Sequence, residues 1–506
     1  MVEVLNTVEC SRKTAPDVER VEADAVNTAG QRSLYASRVA VHPKEVHGFF
    51  RRLKWIVMAV TLGIYYLAPW IRWDRGPHAP DQAILVDLAN RRFYFFFLEI
   101  WPQEFYYVAG LLIMAGIGLF LVTSAVGRAW CGYTCPQTVW TDLFVAVERR
   151  VEGDRNARIK LDAEPMSAEK FIKRSIKYTM WFIIALATGG AWVFYFADAP
   201  TLFKQLILWD APAVAYLTIL TLTATTFIFA GFMREQVCTY MCPWPRIQAA
   251  MLDEDSLTVT YNAWRGEERG SQRERRLEAT KQFGDCIDCN LCVAVCPMGI
   301  DIRNGNQLEC ITCALCIDAC NGVMEKVGKP KDLISYTTLR AYNAHAAGHA
   351  EQAPLLWREI IRPRTMIYMG VWALIGIAML VSVANRATLD INVLHDRNPL
   401  FVTLSDGSVR NGYTVKILNM AQKPRTFDLK IDDLPGATMQ MVGDDDPPST
   451  SVTIPVEADK LRMVKIYVTA PASSGKERAD FRFDVKEKGG EEAKHYEAFF
   501  QWPKND

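Results

Sequence analysis

Two cysteine repeats in the second half of the chain are its densest chemical feature. The stretch CIDCNLCVAVCP begins at Cys286, and a run with the same spacing begins at Cys310. Each run places two, two and then three residues between successive cysteines, so a tight loop can aim three thiolates at one iron–sulfur cubane while the opposite repeat supplies the fourth. We therefore predict two [4Fe–4S] clusters. The predicted ligands are Cys286, Cys289, Cys292 and Cys320 for the first cluster, and Cys296, Cys310, Cys313 and Cys316 for the second.

Other uses of these eight cysteines fit the pattern less well. A zinc site takes four ligands and would leave the extra cysteines unexplained. A disulfide framework is typical of small secreted domains, whereas this chain has 506 residues. Asn321 stands where the second repeat could have carried a proline. Because proline is not a ligand, that departure leaves the prediction of two clusters unchanged.

A different cysteine motif occurs twice elsewhere in the chain. CGYTCP begins at Cys131 and CTYMCP begins at Cys238, and each follows an apolar stretch and an arginine. The proline disfavours helix at the cysteine before it, so we expect each pair to line a turn where the apolar stretch ends. Soft thiolates suit Cu(I), and basic neighbours would lower their pKa. The repetition favours a functional site over the packing of a helix end. The candidate functional residues, as one site or two, are Cys131, Cys135, Cys238 and Cys242.

Few other residues suggest chemistry. His345 and His349 are four residues apart, as metal-binding histidines on a helix can be, but Glu351 is the only acidic residue near them. Cys10 is isolated in a polar N-terminal segment. The sequence has no Walker loop, no GxGxxG and no CxxCH motif, so it predicts no nucleotide, flavin or c-type haem site. The formal net charge of zero gives no electrostatic reason to expect nucleic acid as a partner.

The elements that must position these cysteines include five uncharged apolar stretches. Each is near the length of about 20 residues that crosses a bilayer as a helix. Five such stretches in one chain argue against buried helices of a soluble protein, and aromatic residues crowd their ends as in an interfacial belt. The predicted spans cover about residues 55–71, 105–127, 178–197, 211–233 and 365–385.

Lysine and arginine residues predict the orientation of these spans. Arg51, Arg52 and Lys54 precede the first span, and a basic loop joins the second to the third, whereas the linker before the fourth carries only Lys204. The positive-inside rule then places the N-terminus and the cluster cassette in the cytoplasm and the C-terminus outside. Arginines in the first interhelical loop mildly oppose this orientation. The cysteines agree with it, because none follows Cys320.

The C-terminal tail has a β-type pattern. Short alternating or β-branched runs such as TVKIL, SVTIPV and FRFDV are separated by turn sequences such as SDG and LPG. This pattern predicts an immunoglobulin-like sandwich. The predicted domains are a cytoplasmic segment (1–54), a four-helix membrane region with both CxxxCP motifs (55–233), a cytoplasmic region with the ferredoxin domain at about 280–325 (234–364), a fifth transmembrane helix (365–385) and a periplasmic β-sandwich (386–506).

The order of these features resembles the FixG/CcoG family, accessory proteins for assembly of the cbb-type cytochrome oxidase. The resemblance covers nearly the whole chain and depends on the two-cluster cassette, the CGYTCP and CTYMCP motifs, the five spans and the external sandwich. It implies a multi-pass protein of the bacterial inner membrane that reduces Cu(II) to Cu(I) before copper delivery. In such a protein Cys131, Cys135, Cys238 and Cys242 would form the copper or electron-exit site. The resemblance also implies, as partners, an unknown cytoplasmic electron donor and the proteins of copper export and oxidase assembly.

Two other functions remain open from the residues alone. A quinol dehydrogenase would pass electrons from quinol through the clusters to another acceptor. A non-enzymatic scaffold would bind copper and use its clusters only as structural elements. Copper reduction by the purified protein, with and without quinol, would separate these three hypotheses.

Overall fold

The computed structural model describes residues 18, 20–27, 40–77, 79–278, 280–349, 360–444, 446–472 and 477–504. The chain divides into two compact units: one comprises Met1–Ile71 and Ala83–Ile377, and the other comprises Arg72–Gln82 and Ala378–Asp506. The helices are α1 (Phe49–Leu67), α2 (Tyr106–Val126), α3 (Ala129–Tyr133), α4 (Pro136–Glu152), α5 (Arg155–Ala163), α6 (Ala168–Val193), α7 (Ala199–Ile207), α8 (Ala213–Thr226), α9 (Trp244–Met251), α10 (Ala263–Gly266), α11 (Gln272–Leu277), α12 (Leu291–Ala294), α13 (Leu315–Lys326), α14 (Leu339–Ala346) and α15 (Pro363–Ala384).

The prediction of five membrane-spanning helices is confirmed for the described residues. Their length and apolar composition are sufficient to cross a membrane. The spans are Phe49–Trp70, Pro102–Val126, Ala168–Val193, Ala213–Met233 and Pro363–Ala384. The fourth span continues from α8 into a π-helical segment, Phe227–Met233.

The third span begins ten residues before the predicted start because its charged first turns belong to the same helix. Ser167 caps α6 by accepting a hydrogen bond from the backbone of Lys170. Lys177 is then buried with its ammonium 2.9 Å from Glu152 and 3.5 Å from Glu148, both on α4. Carboxylates on a neighbouring helix therefore allow the charged turns of α6 to be buried. A search for uncharged runs in the sequence misses these turns, because their partners lie on another helix.

The cluster cassette is packed against the polar segments that flank the spans. The backbone N–H of Lys44 donates to the carbonyl of Ala294 at 2.8 Å, and that of Val21 donates to Cys289 at 3.0 Å. A two-stranded antiparallel sheet of β4 (Thr258–Tyr261) and β5 (Ile334–Thr337) closes the other side of the cassette core. The N-terminal segment and the cassette thus form part of one core.

The first interhelical loop contains a small antiparallel sheet, β1–β2–β3 (Ile84–Asp87, Arg92–Phe95 and Leu98–Ile100), within the first unit. The preceding residues Arg72–Gln82 belong to the second unit, together with residues 378–506. This loop segment and the C-terminal domain are therefore parts of the same compact body.

The predicted β-sandwich is confirmed within that second unit. Its strands are β6 (Leu389–His395), β7 (Val402–Thr403), β8 (Val409–Asn419), β9 (Arg425–Asp432), β10 (Thr438–Met441), β11 (Ser451–Val456), β12 (Lys460–Ala470), β13 (Arg478–Glu487) and β14 (Ala493–Gln501). One sheet has the order β10–β12–β8–β6 with β7 paired to β8, and the other has the order β11–β9–β13–β14, all antiparallel. Inward-facing aromatic residues such as Phe427, Phe483 and Phe500 are fully buried between the sheets.

Candidate functional site

The two cysteine repeats fold into loops of the same backbone shape. In the first, Asp288 and Asn290 have φ angles of 51° and 57°; in the second, Thr312 and Ala314 have φ angles of 50° and 60°. Left-handed backbone is uncommon for residues other than glycine, and here it recurs at equivalent positions. It turns the chain tightly and lets backbone amides approach sulfur, as that of Thr312 does at Cys310. Amide hydrogen bonds to ligand sulfurs are a means by which proteins adjust cluster potentials.

The cysteines are grouped across the two repeats. Cys320 interacts electrostatically with Cys289 and Cys286 of the first repeat, and Cys292 interacts with Cys289 and Cys320. Cys296 interacts in the same way with Cys313 and Cys310 of the second repeat. We call Cys286, Cys289, Cys292 and Cys320 the first cysteine group, and Cys296, Cys310, Cys313 and Cys316 the second cysteine group.

The second cysteine group fits a cubane cluster. All four of its cysteines, with Cys292, line one cavity whose remaining wall is largely aliphatic. Burial raises the pKa of Cys296 to about 12 and that of Cys310 to about 11. Iron would therefore replace protons on thiols that water hardly reaches. Cys316 also interacts with Cys292, so the two groups are neighbours. The assignment of individual ligands stays a prediction.

A charged network surrounds the first cysteine group. Arg303 donates to Asp288 at 2.7 Å and to Asp301 at 2.7 Å, and its guanidinium also contacts the side chain of Asn290 at 2.9 Å. These contacts fix the loop that carries Cys289 and Cys292. Sequence reasoning did not identify Arg303, because its partners are brought together only by the fold of the loop.

The first CxxxCP motif begins directly after the second span. Gly127 ends α2 with a φ of 65°, and a Cβ there would lie 2.0 Å from the carbonyl oxygen of Leu257. Cys131 is on the short helix α3, whereas Cys135 is the extended residue before α4, whose first residue is Pro136. The proline therefore acts as expected on the second cysteine, while the first lies on a helical turn.

The second motif has a similar form at the end of the fourth span. Cys238 lies in a π-helical turn, Val237–Met241, and Cys242 follows it in extended conformation before Pro243. Wider turns of this kind are frequent at functional sites. In both motifs a helical turn thus carries the first cysteine and a break in the helix carries the second.

The structure brings the two motifs together. The thiol of Cys131 interacts electrostatically with Cys135 and Cys242, and that of Cys238 interacts with all three. We call these four residues the CxxxCP group. Gln248, which is fully buried, accepts a hydrogen bond from the Cys131 thiol at 2.9 Å and donates to Thr123 at 3.2 Å. Sequence reasoning did not identify Gln248, whose role depends on the return of α9 to the second span.

The CxxxCP group adjoins the second cysteine group. A Cβ added to Gly132 would lie 2.7 Å from the carbonyl oxygen of Ile311 and 3.1 Å from the Cα of Cys313. The hydroxyl of Tyr133 donates to the carbonyl of Cys313 at 3.2 Å. Cys131, Cys238 and Cys313 also belong to one apolar core cluster. The backbone of the first CxxxCP motif therefore packs directly against the loop that carries the second cysteine group, so the two groups of thiols are close together.

The two arginines that precede the motifs have different environments. Arg128 is buried beside Cys131, Cys238 and Cys310. Arg234 instead pairs with Glu148 at 3.1 Å. The expectation that basic neighbours lower the thiol pKa is outweighed here, because burial raises the pKa of Cys131 and of Cys238 to about 12 despite the opposing charge of Arg128.

The histidine pair does not share a helix face. His345 stacks on Trp264 with ring centroids 5.5 Å apart, whereas His349 lies beyond the end of α14. Among the residues that the structure describes, no three His, Cys, Asp or Glu side chains converge where a single metal ion could bind. Cys10 lies outside the described residues.

A multi-pass chain with a two-cluster ferredoxin cassette is a membrane-bound iron–sulfur redox protein. Three family models match it: a 4Fe-4S dicluster domain at residues 233–339, a 4Fe-4S binding domain at residues 108–152, and the IG-like fold at the C-terminus of FixG at residues 379–503. The nitrogen fixation protein FixG of Rhizobium meliloti is 57% identical over 514 residues, which cover 97% of this chain and 98% of the relative. The chain belongs to the FixG family.

Other proteins are similar over all or part of the chain. Protein RdxB of Cereibacter sphaeroides is 55% identical over 472 residues, which cover 92% of this chain and 97% of the relative. The crystal structure of a FixG-related protein from Vibrio parahaemolyticus matches 23% of this chain and 97% of its own length, with 22% identity and a TM-score of 0.20.

Proposed function

We propose that this protein is a cupric reductase, which takes electrons from a cytoplasmic donor and reduces Cu(II) to Cu(I) for the assembly of a cbb-type cytochrome oxidase. The observation that carries the proposal is that the two CxxxCP motifs, each with two soft thiols, lie beside one another and beside the second cysteine group. Cu(I) prefers such ligands, whereas Cu(II) does not require them. A site of this kind therefore favours the reduced product.

The chemistry of the cassette would be one-electron transfer, supplied by two [4Fe–4S] clusters held by the first and second cysteine groups. The chain's own residues then have three tasks. The cysteines hold iron in buried, largely aliphatic surroundings, Gly132 and Tyr133 keep the CxxxCP group against the cassette, and the CxxxCP thiols bind copper. Each Cu(II) accepts one electron, and the cytoplasmic donor loses one electron for each Cu(I) that forms.

We further propose that the cassette faces the cytoplasm and that the sandwich lies in the periplasm. Two observations support the placement of the cassette and the sandwich on opposite sides of the membrane. The N-terminal segment, the loop after the second span and the cassette pack together, as when Arg158 donates to Pro43 at 2.5 Å. The loop segment Arg72–Gln82 and the sandwich share a unit. Five spans support the proposal, because they would put the first set on one side of the membrane and the second set on the other.

The proposed partners follow from this orientation. A cytoplasmic electron donor would dock near the cassette, and copper-export and oxidase-assembly proteins would receive Cu(I). The sandwich is a docking or structural module in this proposal, and nucleic acid is not among the partners.

The decisive experiment measures Cu(II) reduction by anaerobically purified full-length protein, with a Cu(I)-specific chelator as the readout. The variants Cys131→Ser/Cys135→Ser and Cys238→Ser/Cys242→Ser remove soft ligands with almost no change in volume. We expect each to keep its clusters, measured as iron and by EPR, and to lose most copper reduction and Cu(I) binding. Cys10→Ser is the matched cysteine control and should behave as the unmodified protein.

Several outcomes would contradict the proposal. Full reduction by both double variants would move copper binding elsewhere. Loss of both clusters in them would make the pairs structural. Electron uptake that requires quinol and proceeds without copper would favour the quinol dehydrogenase, and copper binding without reduction would favour the scaffold.

A further inference from the structure

Among the residues that the structure describes, Arg128 is the one buried arginine without a carboxylate partner. It is 3% exposed, and the other buried arginines among the described residues each pair with an acidic side chain within 3.1 Å. These pairs are Arg51–Asp142, Arg158–Glu148, Arg234–Glu148, Arg362–Asp253 and Arg425–Glu492. A buried cation without a counter-charge is strongly unfavourable. Arg128 should therefore have a negatively charged partner that is not a carboxylate.

The hydrogen bonds of Arg128 are also incomplete. Its Nη1 donates to the carbonyl of Leu308 at 2.6 Å, whereas Nε and Nη2 have no hydrogen-bond partner among the described residues. The ionisable side chains beside the guanidinium are cysteines: Cys131, Cys310 and Cys238. Two of these belong to the CxxxCP group and one to the second cysteine group. The guanidinium thus faces both groups with two N–H-bearing nitrogens available.

We propose that Arg128 is a positioning residue whose fixed positive charge is shared by the CxxxCP group and the second cluster, and that this charge raises the potential of the second cluster relative to the first. The inference rests on the proposed function in that it assigns the second cluster as the one next to the acceptor. A nearby cation favours the more negative, reduced form of a cluster. Electrons would therefore collect where the CxxxCP group adjoins the cassette.

Arg234 gives the comparison within the chain. It lies four residues before Cys238, as Arg128 lies three residues before Cys131, but its guanidinium pairs with Glu148 and donates to the carbonyl of Gly231 at 2.8 Å. Of the two arginines that precede the motifs, only Arg128 therefore lacks a carboxylate partner among the described residues. This asymmetry is why the effect is assigned to Arg128 alone.

The test is a redox titration followed by EPR on the full-length, cluster-loaded protein without copper. The signal that disappears in Cys310→Ser identifies the second cluster. For Arg128→Gln we expect the equilibrium constant for reduction of the second cluster to fall about tenfold, which is about 59 mV for a one-electron couple, with the first cluster nearly unchanged. Arg128→Lys keeps the charge and should restore most of the shift. Arg362→Gln removes another buried arginine and should shift neither potential.

An unchanged second potential in Arg128→Gln with full iron content would overturn the inference, as would equal shifts of both clusters or the same shift in Arg362→Gln. If Arg128→Gln loses the second cluster, Arg128→Lys decides: retention of the cluster at its normal potential supports a role for charge, and loss shows that only the shape of arginine matters. Because copper is absent from the titration, this result is independent of whether the protein reduces Cu(II).

Discussion

Asp318, which lies between Cys316 and Cys320 on α13, caps the first turn of the first span. Its carboxylate accepts the backbone N–H of Arg51 at 2.7 Å and that of Phe50 at 3.3 Å. Gly48 makes this approach possible, because a Cβ there would lie 2.2 Å from the carboxyl carbon. The helix that carries two predicted cluster ligands is therefore attached directly to a membrane helix.

Replacing Asp318 with alanine should loosen this attachment. Loss of a capping side chain costs about 0.5–2 kcal/mol, so the Arg51 amide should exchange its hydrogen several-fold to tenfold faster or more. Hydrogen exchange followed by mass spectrometry measures this directly. Glu325→Ala, at an exposed position of the same helix, is the control. Equal exchange in both variants would show that the cap contributes nothing.

Cys320→Ser should damage the cluster of the first repeat although it lies in the second. The predicted first cysteine group would lose one ligand, whereas the second would stay complete, so iron should fall from about eight atoms per chain toward about four. Iron analysis with EPR measures this, and Cys310→Ser should affect the other cluster. Loss of the same EPR signal in both variants contradicts the crossed pairing. About twelve iron atoms in the unmodified protein would contradict the two-cluster prediction.

Gly132→Ala should separate the CxxxCP group from the cassette. The new methyl group would meet backbone atoms of Ile311 and Cys313, which cannot move aside as a side chain can. We expect a loss of about 1–3 kcal/mol in stability from overpacking and a lower content of the second cluster. Gly322→Ala places a methyl group in open space on α13 and is the matched control. A normal cluster content in Gly132→Ala would mean that the contact is adaptable.

Glu148→Gln should destabilise the packing of α4 against α5 and α6. Glu148 lies 3.0 Å from Arg158, 3.1 Å from Arg234 and 3.5 Å from Lys177, so its loss leaves three cations without their shared carboxylate. Breaking such a buried network costs about 3–5 kcal/mol. Thermal unfolding in detergent measures the change. Glu169→Gln, which breaks an exposed pair with Lys173, should have little effect, and a similar effect of the two variants would contradict the prediction.

Glu148 should also make the stability of the protein depend on pH. Burial alone would raise the pKa of Glu148, but Arg234 and Arg158 hold it lower, at about 2, compared with an ordinary value of 4.5. A depressed pKa stabilises the folded state above the unfolded value, and that contribution is lost as the pH falls toward the folded value. The stability difference between the unmodified protein and Glu148→Gln should therefore be constant above about pH 4.5 and narrow below it. A difference that stays constant down to pH 3 would contradict this.

Reporter fusions test the proposed orientation. A reporter after Asp506 should be active only in the periplasm, and one inserted near Gly270 only in the cytoplasm, because basic residues concentrate on the cytoplasmic side. Activity in the exchanged compartments would overturn the orientation. Activity of both fusions in one compartment would contradict the odd number of spans between them.

Local patterns in the sequence were sufficient for the elements of this protein. These patterns are the cysteine spacing, the uncharged runs and the alternation in FRFDV. Each involves residues near one another in the chain, so the cassette, the five spans and the sandwich can be predicted without the tertiary structure. The start of α6 could not be predicted in this way, because the burial of Lys177 depends on Glu148 and Glu152, which lie on another helix.

Tertiary structure alone decided which residues meet. The two CxxxCP motifs are about a hundred residues apart, and their convergence, like the thiol hydrogen bond to Gln248, depends on how the spans pack. Arg128 and Arg234 precede the two similar motifs by three and four residues, yet among the described residues only Arg234 of these two meets a carboxylate. Spacing along a chain determines local geometry, whereas the partner of a buried charge is chosen by side chains that the fold brings from elsewhere.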